Sequence, residues 1–228
     1  MSDRIQTNYL GLVDFDAALQ MQTSARDRLL ARELDAVLLG LEHPAVITLG
    51  VRGHATADLQ ISESDLLAKG LQLRSIGRGG QATLHSPGQL VIYPCVNLRA
   101  YDLGARIFVE LVQRTTQSWL GDLGINATSD SHEPGLFVAG EKIAAFGFQI
   151  SNGLTSHGIA INVRNNLELF DLIRTCGVRG QRVTSLERQS FDSNQKHSLE
   201  ALFLGWSARF RTNLESMAVD EAGTLPVL

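Results

Sequence analysis

The chain has 228 residues, 44% of them hydrophobic, 6% aromatic and 19% charged, with a formal charge of −4. That apolar share can build a core and excludes a disordered polyelectrolyte. The acidic balance, without any run of Lys or Arg, argues against a nucleic-acid partner.

Residues 8–13 read as a strand. Phe15, Ala18, Leu19, Gln22, Ala25 and Leu29 fall at helical spacing, which predicts a helix from Asp14 to about Arg32 with Asp14 as its cap. Residues 36–41 and 45–49 are apolar strands joined through Glu42-His43-Pro44. Ser62-Glu63-Ser64-Asp65 resembles a capping box, and Gly70 closes that short helix. Residues 71–76, 82–85 and 90–96 read as strands, with glycine-rich Gly77-Arg78-Gly79-Gly80 and Ser86-Pro87-Gly88 between them. A second long helix spans 104 to about 123, with Gly124 as its stop. Residues 136–138, 142–150 and 158–163 are strand-like, 199–217 is a closing helix, and 225–228 is a tail.

Strands outnumber helices and do not alternate strictly with them, which predicts an α+β fold with helices packed on a mixed sheet. No linker-like stretch divides the chain, so one domain over 1–228 is expected, with 166–228 as a candidate C-terminal subregion. Two cysteines cannot form a disulfide framework. The N-terminus has no apolar signal core, and no apolar run reaches the length of a membrane span. A cytoplasmic protein in a reducing compartment is expected.

Four stretches could carry chemistry. In Arg78-Gly79-Gly80-Gln81-Ala82-Thr83-Leu84-His85 the glycines permit close backbone approach to a ligand, and Arg78 offers planar donors to a carbonyl or phosphate. Thr83 and His85 alternate onto one strand face. The plainer alternative is a turn with a solvated Arg and a partly buried His. In Glu141-Lys142-Ile143-Ala144-Ala145-Phe146-Gly147, regular alternation places Lys142, Ala144 and Phe146 on one face and Ile143, Ala145 and Gly147 on the other. Lys142 thus lies in an apolar strand, where desolvation would free its amine as a base. The alternative is a lysine whose head reaches out to water.

In His157-Gly158-Ile159-Ala160-Ile161-Asn162-Val163, small Gly158 and Ala160 suit the floor of a groove or the close packing of two strands, and Asn162 suits fixing a loop. Cys176, in Thr175-Cys176-Gly177-Val178-Arg179-Gly180, has glycines and a cation nearby. Such a setting suits a thiol that must be approached and ionised, although a lone cysteine is more often a small buried hydrophobe. Cys95, inside an apolar strand, is assigned no function. GxSxG, CxxC and HExxH patterns are absent, and the six histidines show no short metal-ligand spacing.

Taken in order, these segments resemble a known family. Leu41 to Gly50 resembles EHPxxxTLG, and Arg78 to His85 followed by Pro87-Gly88-Gln89-Leu90 resembles RGGQxTxHxPGQL. Lys142 to Gly147, His157 to Val163, Cys176-Gly177 and Val183-Thr184-Ser185-Leu186 follow in the family order. The chain is identified as similar to the LipB-type octanoyltransferases of lipoate biosynthesis, from about Tyr9 to Leu186.

The resemblance implies the biotin and lipoate protein ligase fold, with a larger mixed sheet and a smaller sheet flanked by helices. It implies transfer of octanoyl from acyl carrier protein to a lysine on lipoyl domains of 2-oxoacid dehydrogenases or on the glycine-cleavage H protein. Cys176 is then the acyl-thioester nucleophile and Lys142 its partner in tuning the thiol and moving protons. Arg78 to His85, Ala145, Phe146, Gly147, Gly158, Ile159 and Ala160 match substrate-binding segments. No cofactor and no metal are implied, and a monomer is expected. Ser86, Thr175 and Phe146 depart from the usual pattern; Phe146 is bulky enough to shorten an acyl pocket. Two rivals stand beside this reading. One is an ATP-dependent lipoate or biotin ligase of the same fold, which needs no nucleophilic cysteine. The other is a binding module that has lost catalysis.

Overall fold

The computed structural model describes residues 4–130, 133–174, 182–189 and 197–217. Strand β1 (Ile5–Leu12) leads into helix α1 (Phe15–Leu30), whose cap Asp14 accepts from the Asp16 and Ala17 backbone N–H groups. Strand β2 (Ala36–Glu42) returns parallel to β1. Next come β3 (Val46–Leu49), the short helices α2 (Ala55–Asp58) and α3 (Glu63–Ala68), and β4 (Gln72–Ser75). Strands β5 (Ala82–His85) and β6 (Gln89–Val96) precede helix α4 (Ala105–Asp122). Then follow β7 (Thr128–Ser129), β8 (Gly135–Val138), β9 (Glu141–Ser151), β10 (Leu154–Asn162) and helix α5 (Leu199–Met217). Helix α2 and two-residue β7 have no signal in the sequence because each is too short to show a period.

Seven strands form the larger sheet in the order β1-β2-β6-β10-β9-β8-β7, and three form the smaller in the order β4-β3-β5. Both are mixed: β1/β2 and β3/β4 are parallel, and the other pairs run antiparallel. The predicted α+β class is the observed one.

Strands β2 and β6 read as continuous apolar runs because helices cover both faces of the sheet. Ala36, Leu38, Leu90 and Ile92 face the core under α4 and α5, while Val37, Leu39, Val91 and Tyr93 face the core under α1. A Cβ on Gly40 would fall 2.3 Å from the Phe203 ring, so this glycine sets how closely α5 approaches. Gly70 and Gly124, both at positive φ, end α3 and α4 as expected.

Candidate active site

Strand β9 is where the structure departs from regular alternation. Leu136 pairs with Ala144 but Phe137 pairs with Lys142, so Ile143 is an extra residue, a β-bulge. Ile143 and its neighbour Ala144 both bury into the core under α4 and α5. The bulge therefore changes the predicted faces. Lys142 joins Ala145 and Gly147 on the wall of a cavity, while Ala144 lies in the core. The bulged backbone is held by residues 182–184: Lys142 N donates to Arg182 O and Thr184 N to Lys142 O, both at 2.9 Å.

Beyond Ala145, β8 has ended and the glycine-rich segment takes the free edge of β9, with Gly79 N donating to Phe148 O at 2.9 Å. The cavity between them holds about 410 Å³. Its wall combines Gly79, Gly80, Gln81, Ala82 and Thr83 with apolar Val109, Phe146, Phe148, Ile150, Ala160 and Phe170. Lys142, Asn162 and Val183 complete one side.

Lys142 is only 6% exposed, so its head is not drawn out to water. Its ammonium pairs with the Glu133 carboxylate and sits 5.4 Å from the centre of the Phe137 ring. A Cβ on Gly135 would meet Lys142 Cε at 3.0 Å and Ala144 O at 2.7 Å, so only glycine leaves room for the lysine stem. Glu133 and Gly135 carry no motif that separates them from an ordinary turn before a strand.

Arg78 is 7% exposed, and its donors turn inward. Nη2 reaches Thr48 O at 2.7 Å and Gln81 O at 2.8 Å, Nη1 reaches Gly79 O at 2.9 Å, and Nε reaches Thr48 Oγ1 at 3.2 Å. The guanidinium thus braces the glycine-rich loop from within. Thr83 and His85 do share a face, both lining a second, smaller cavity of about 50 Å³. Ala82 and Leu84 face the small-sheet core. Ile159 buries its side chain in the large core. Gly158 is required by strand packing, since a Cβ there would lie 2.1 Å from Ile92 O.

A buried polar chain joins the two sheets. His85 Nδ1 and Gln89 Oε1 are 2.8 Å apart, and Gln89 Nε2 donates to Asn162 Oδ1 at 2.9 Å. Asn162 Nδ2 donates to Thr184 O at 3.0 Å, so Asn162 fixes the segment that clamps Lys142. Gln89 acts here as well, and the sequence offered it only as part of a longer motif.

The second cavity gathers histidines that are far apart in sequence. His85 and His157 line it with Phe15 and Tyr93, and the His43 ring lies 5.7 Å from that of His85. His43 is held between Val13 O and the Tyr93 hydroxyl, at 2.7 and 2.8 Å. Burial pushes His43 and His157 down to about 4, and His85 down to about 3. Each imidazole is therefore neutral when folded and basic when unfolded. The stability this contributes is complete above pH ~6.5 and is lost as pH falls toward 4, because the unfolded chain takes up protons first. We predict a loss on the order of 2 kcal/mol per buried imidazole between pH 7 and pH 5. Urea midpoints at the two pH values measure it, and equal midpoints refute it.

Thr175, Cys176, Gly177, Val178, Arg179 and Gly180 lie outside the described residues. The chain on either side is anchored at the site. Arg174 N donates to Asp58 O at 2.7 Å, and Phe170 and Val183 are on the cavity wall.

The sequence model of the lipoyl protein ligase A/B catalytic domain matches residues 14–202. An octanoyltransferase of Syntrophobacter fumaroxidans is 36% identical over 179 residues, 78% of each chain. The mitochondrial octanoyltransferase LIP2 of Arabidopsis thaliana is 36% identical over 182 residues, 79% of this chain and 77% of its own. Among solved structures, a lipoate-protein ligase A bound with ATP superposes with a TM-score of 0.67 at 16% identity, covering 96% of this chain and 93% of its own. That likeness establishes the lipoate ligase fold expected from the motifs. With a buried lysine on an apolar cavity and relatives this close, the chain belongs to the octanoyltransferases of the lipoyl protein ligase A/B family.

Proposed function

We propose that this acyltransferase carries octanoyl as a thioester on Cys176, with Lys142 as its partner in ionisation and proton transfer. The observation that carries the reading is Lys142, buried on the wall of an apolar cavity that the glycine-rich loop closes. Cys176 enters through its sequence setting, supported by cavity-wall residues on both sides of it. The donor is octanoyl-acyl carrier protein. The acceptors are lipoyl domains of 2-oxoacid dehydrogenases and the glycine-cleavage H protein. The reading takes residues 1–228 as one catalytic domain, acting as a cytoplasmic monomer with no cofactor or metal.

The steps balance without a co-reactant. Cys176 loses its proton, and its sulfur attacks the donor carbonyl. A new C–S bond forms, the donor C–S bond breaks, and the donor thiol leaves with the proton. One thioester replaces another, so this step is nearly even. The acceptor amine then attacks, the C–N bond forms, and the Cys176 sulfur departs. Lys142 hands protons between nitrogen and sulfur. Burying the acyl chain against Phe146, Phe148 and Ile150 contributes roughly 0.8 kcal/mol per methylene.

Intact mass after mixing with octanoyl-carrier protein tests the covalent step. Wild type should gain one octanoyl group that a lipoyl domain removes without ATP, and Cys176→Ser should gain none. Transfer by Cys176→Ser at the wild-type rate rules out the thioester, and a strict ATP requirement points to ligase chemistry.

A further inference from the structure

Lys142 meets the Glu133 carboxylate, and their side chains are 7% and 17% exposed. Glu133 precedes Pro134, which lies on the same cavity wall as Lys142, and Gly135 gives the lysine stem its path. The Phe137 ring lies against the ammonium, so the ion pair is sheltered on that side. A charge pair held this far from water interacts more strongly than an exposed one.

We propose that Glu133 is a positioning residue for acyl transfer, aiming the Lys142 ammonium and setting how strongly it drives Cys176 to ionise. The proposal rests on the reading of Cys176 and Lys142 as the reacting pair. An ammonium favours a nearby thiolate, and a carboxylate on that ammonium cancels part of its field. Glu133 therefore restrains the thiol in the free enzyme. Once the sulfur is acylated the thiolate charge is gone, and a buried ammonium without a counter-charge is costly. Glu133 supplies that charge, so the lysine keeps an anionic partner both before and after the sulfur is loaded. No bond is made or broken at Glu133.

Other charged groups face this region. Arg52 and Arg78 line the same cavity, Glu141 precedes Lys142, and Arg182 accepts from the Lys142 backbone. Arg78 directs its guanidinium into the glycine-rich loop, and the Arg52 side chain is exposed. Glu133 is the acid in direct contact with the lysine head among the described residues.

The test compares Glu133→Gln and Glu133→Asp in the full chain. Cys176 alkylation by iodoacetamide is titrated against pH, beside the pH profile of octanoyl transfer. Glu133→Gln keeps the shape and removes the charge, so the apparent thiol pKa should fall by about one unit. Glu133→Asp keeps the charge on a shorter arm, so the pKa should stay near wild type while the rate falls. An unchanged profile in Glu133→Gln overturns the proposal and leaves the contact merely structural. If Glu133→Gln does not fold, Glu133→Asp decides: a pKa lowered as far as charge removal predicts, with Lys142 still buried, counts against a role for the charge. Loss of the Cys176 adduct in wild type would instead sink the underlying reading, so the two failures are distinct.

Discussion

Lys142→Ala is expected to lower octanoyl transfer by about 10²–10⁴-fold, the usual worth of a positioned proton-transfer group. The loss should fall on kcat more than on KM, because the apolar wall that receives the acyl chain is made by other residues. The same change takes the Lys142 ammonium away from Glu133, whose side chain is 17% exposed. That should cost about 1–3 kcal/mol of stability. Steady-state transfer with an octanoyl carrier and a lipoyl domain reads the first effect, and urea unfolding reads the second. A variant within threefold of wild type in kcat would remove Lys142 from the chemistry, whatever happened to its stability.

Gly135→Ala carries the second large effect, through sterics alone. Its Cβ would press on Lys142 Cε at 3.0 Å and on Ala144 O at 2.7 Å, the second a backbone atom of the neighbouring strand. The strand cannot yield cheaply, so the lysine stem must swing or the β8/β9 ladder must open. Misplacing a catalytic group by about 1 Å can cost roughly 10²-fold, and overpacking of this kind costs about 1–3 kcal/mol. Transfer rate and urea midpoint should both fall, with no ionisable group altered. Full activity in Gly135→Ala would mean that the lysine path is not constrained as the packing indicates.

Much of the fold is legible in the sequence because its signals are local. Asp14 caps α1 at the expected position, Gly70 and Gly124 end their helices, and the apolar runs of β2 and β6 are strands. The face assignment of β9 failed for a physical reason. Period-two alternation assumes one residue per pairing step, and the bulge at Ile143 breaks that assumption without leaving a glycine or proline to mark it. Glu133 was missed because an acid before a Pro-Gly turn is ordinary until the fold brings it to Lys142. The histidine cluster was missed because His43, His85 and His157 converge from the β2–β3 connection and from strands β5 and β10. Arg78 was read as a donor to a ligand carbonyl or phosphate because its residue type permits that; it lines the cavity, with its guanidinium bonded to Thr48, Gly79 and Gln81.

The bulge also ties the face of Lys142 to how the residues after it are paired. Loops elsewhere can grow or shrink while the strands they join stay in step. Removing Ile143 would restore a regular ladder and leave Lys142 opposite Ala144, on the same face as Ala145 and Gly147. Pairing Ile143 regularly, without the bulge, would instead put Lys142 on the face of Ala144, toward the core beneath α4 and α5. The bulge, and not the count of residues alone, thus puts Lys142 and Gly147 on one face. On an uninterrupted strand a lysine would share a face with Gly147 only at an even spacing from it.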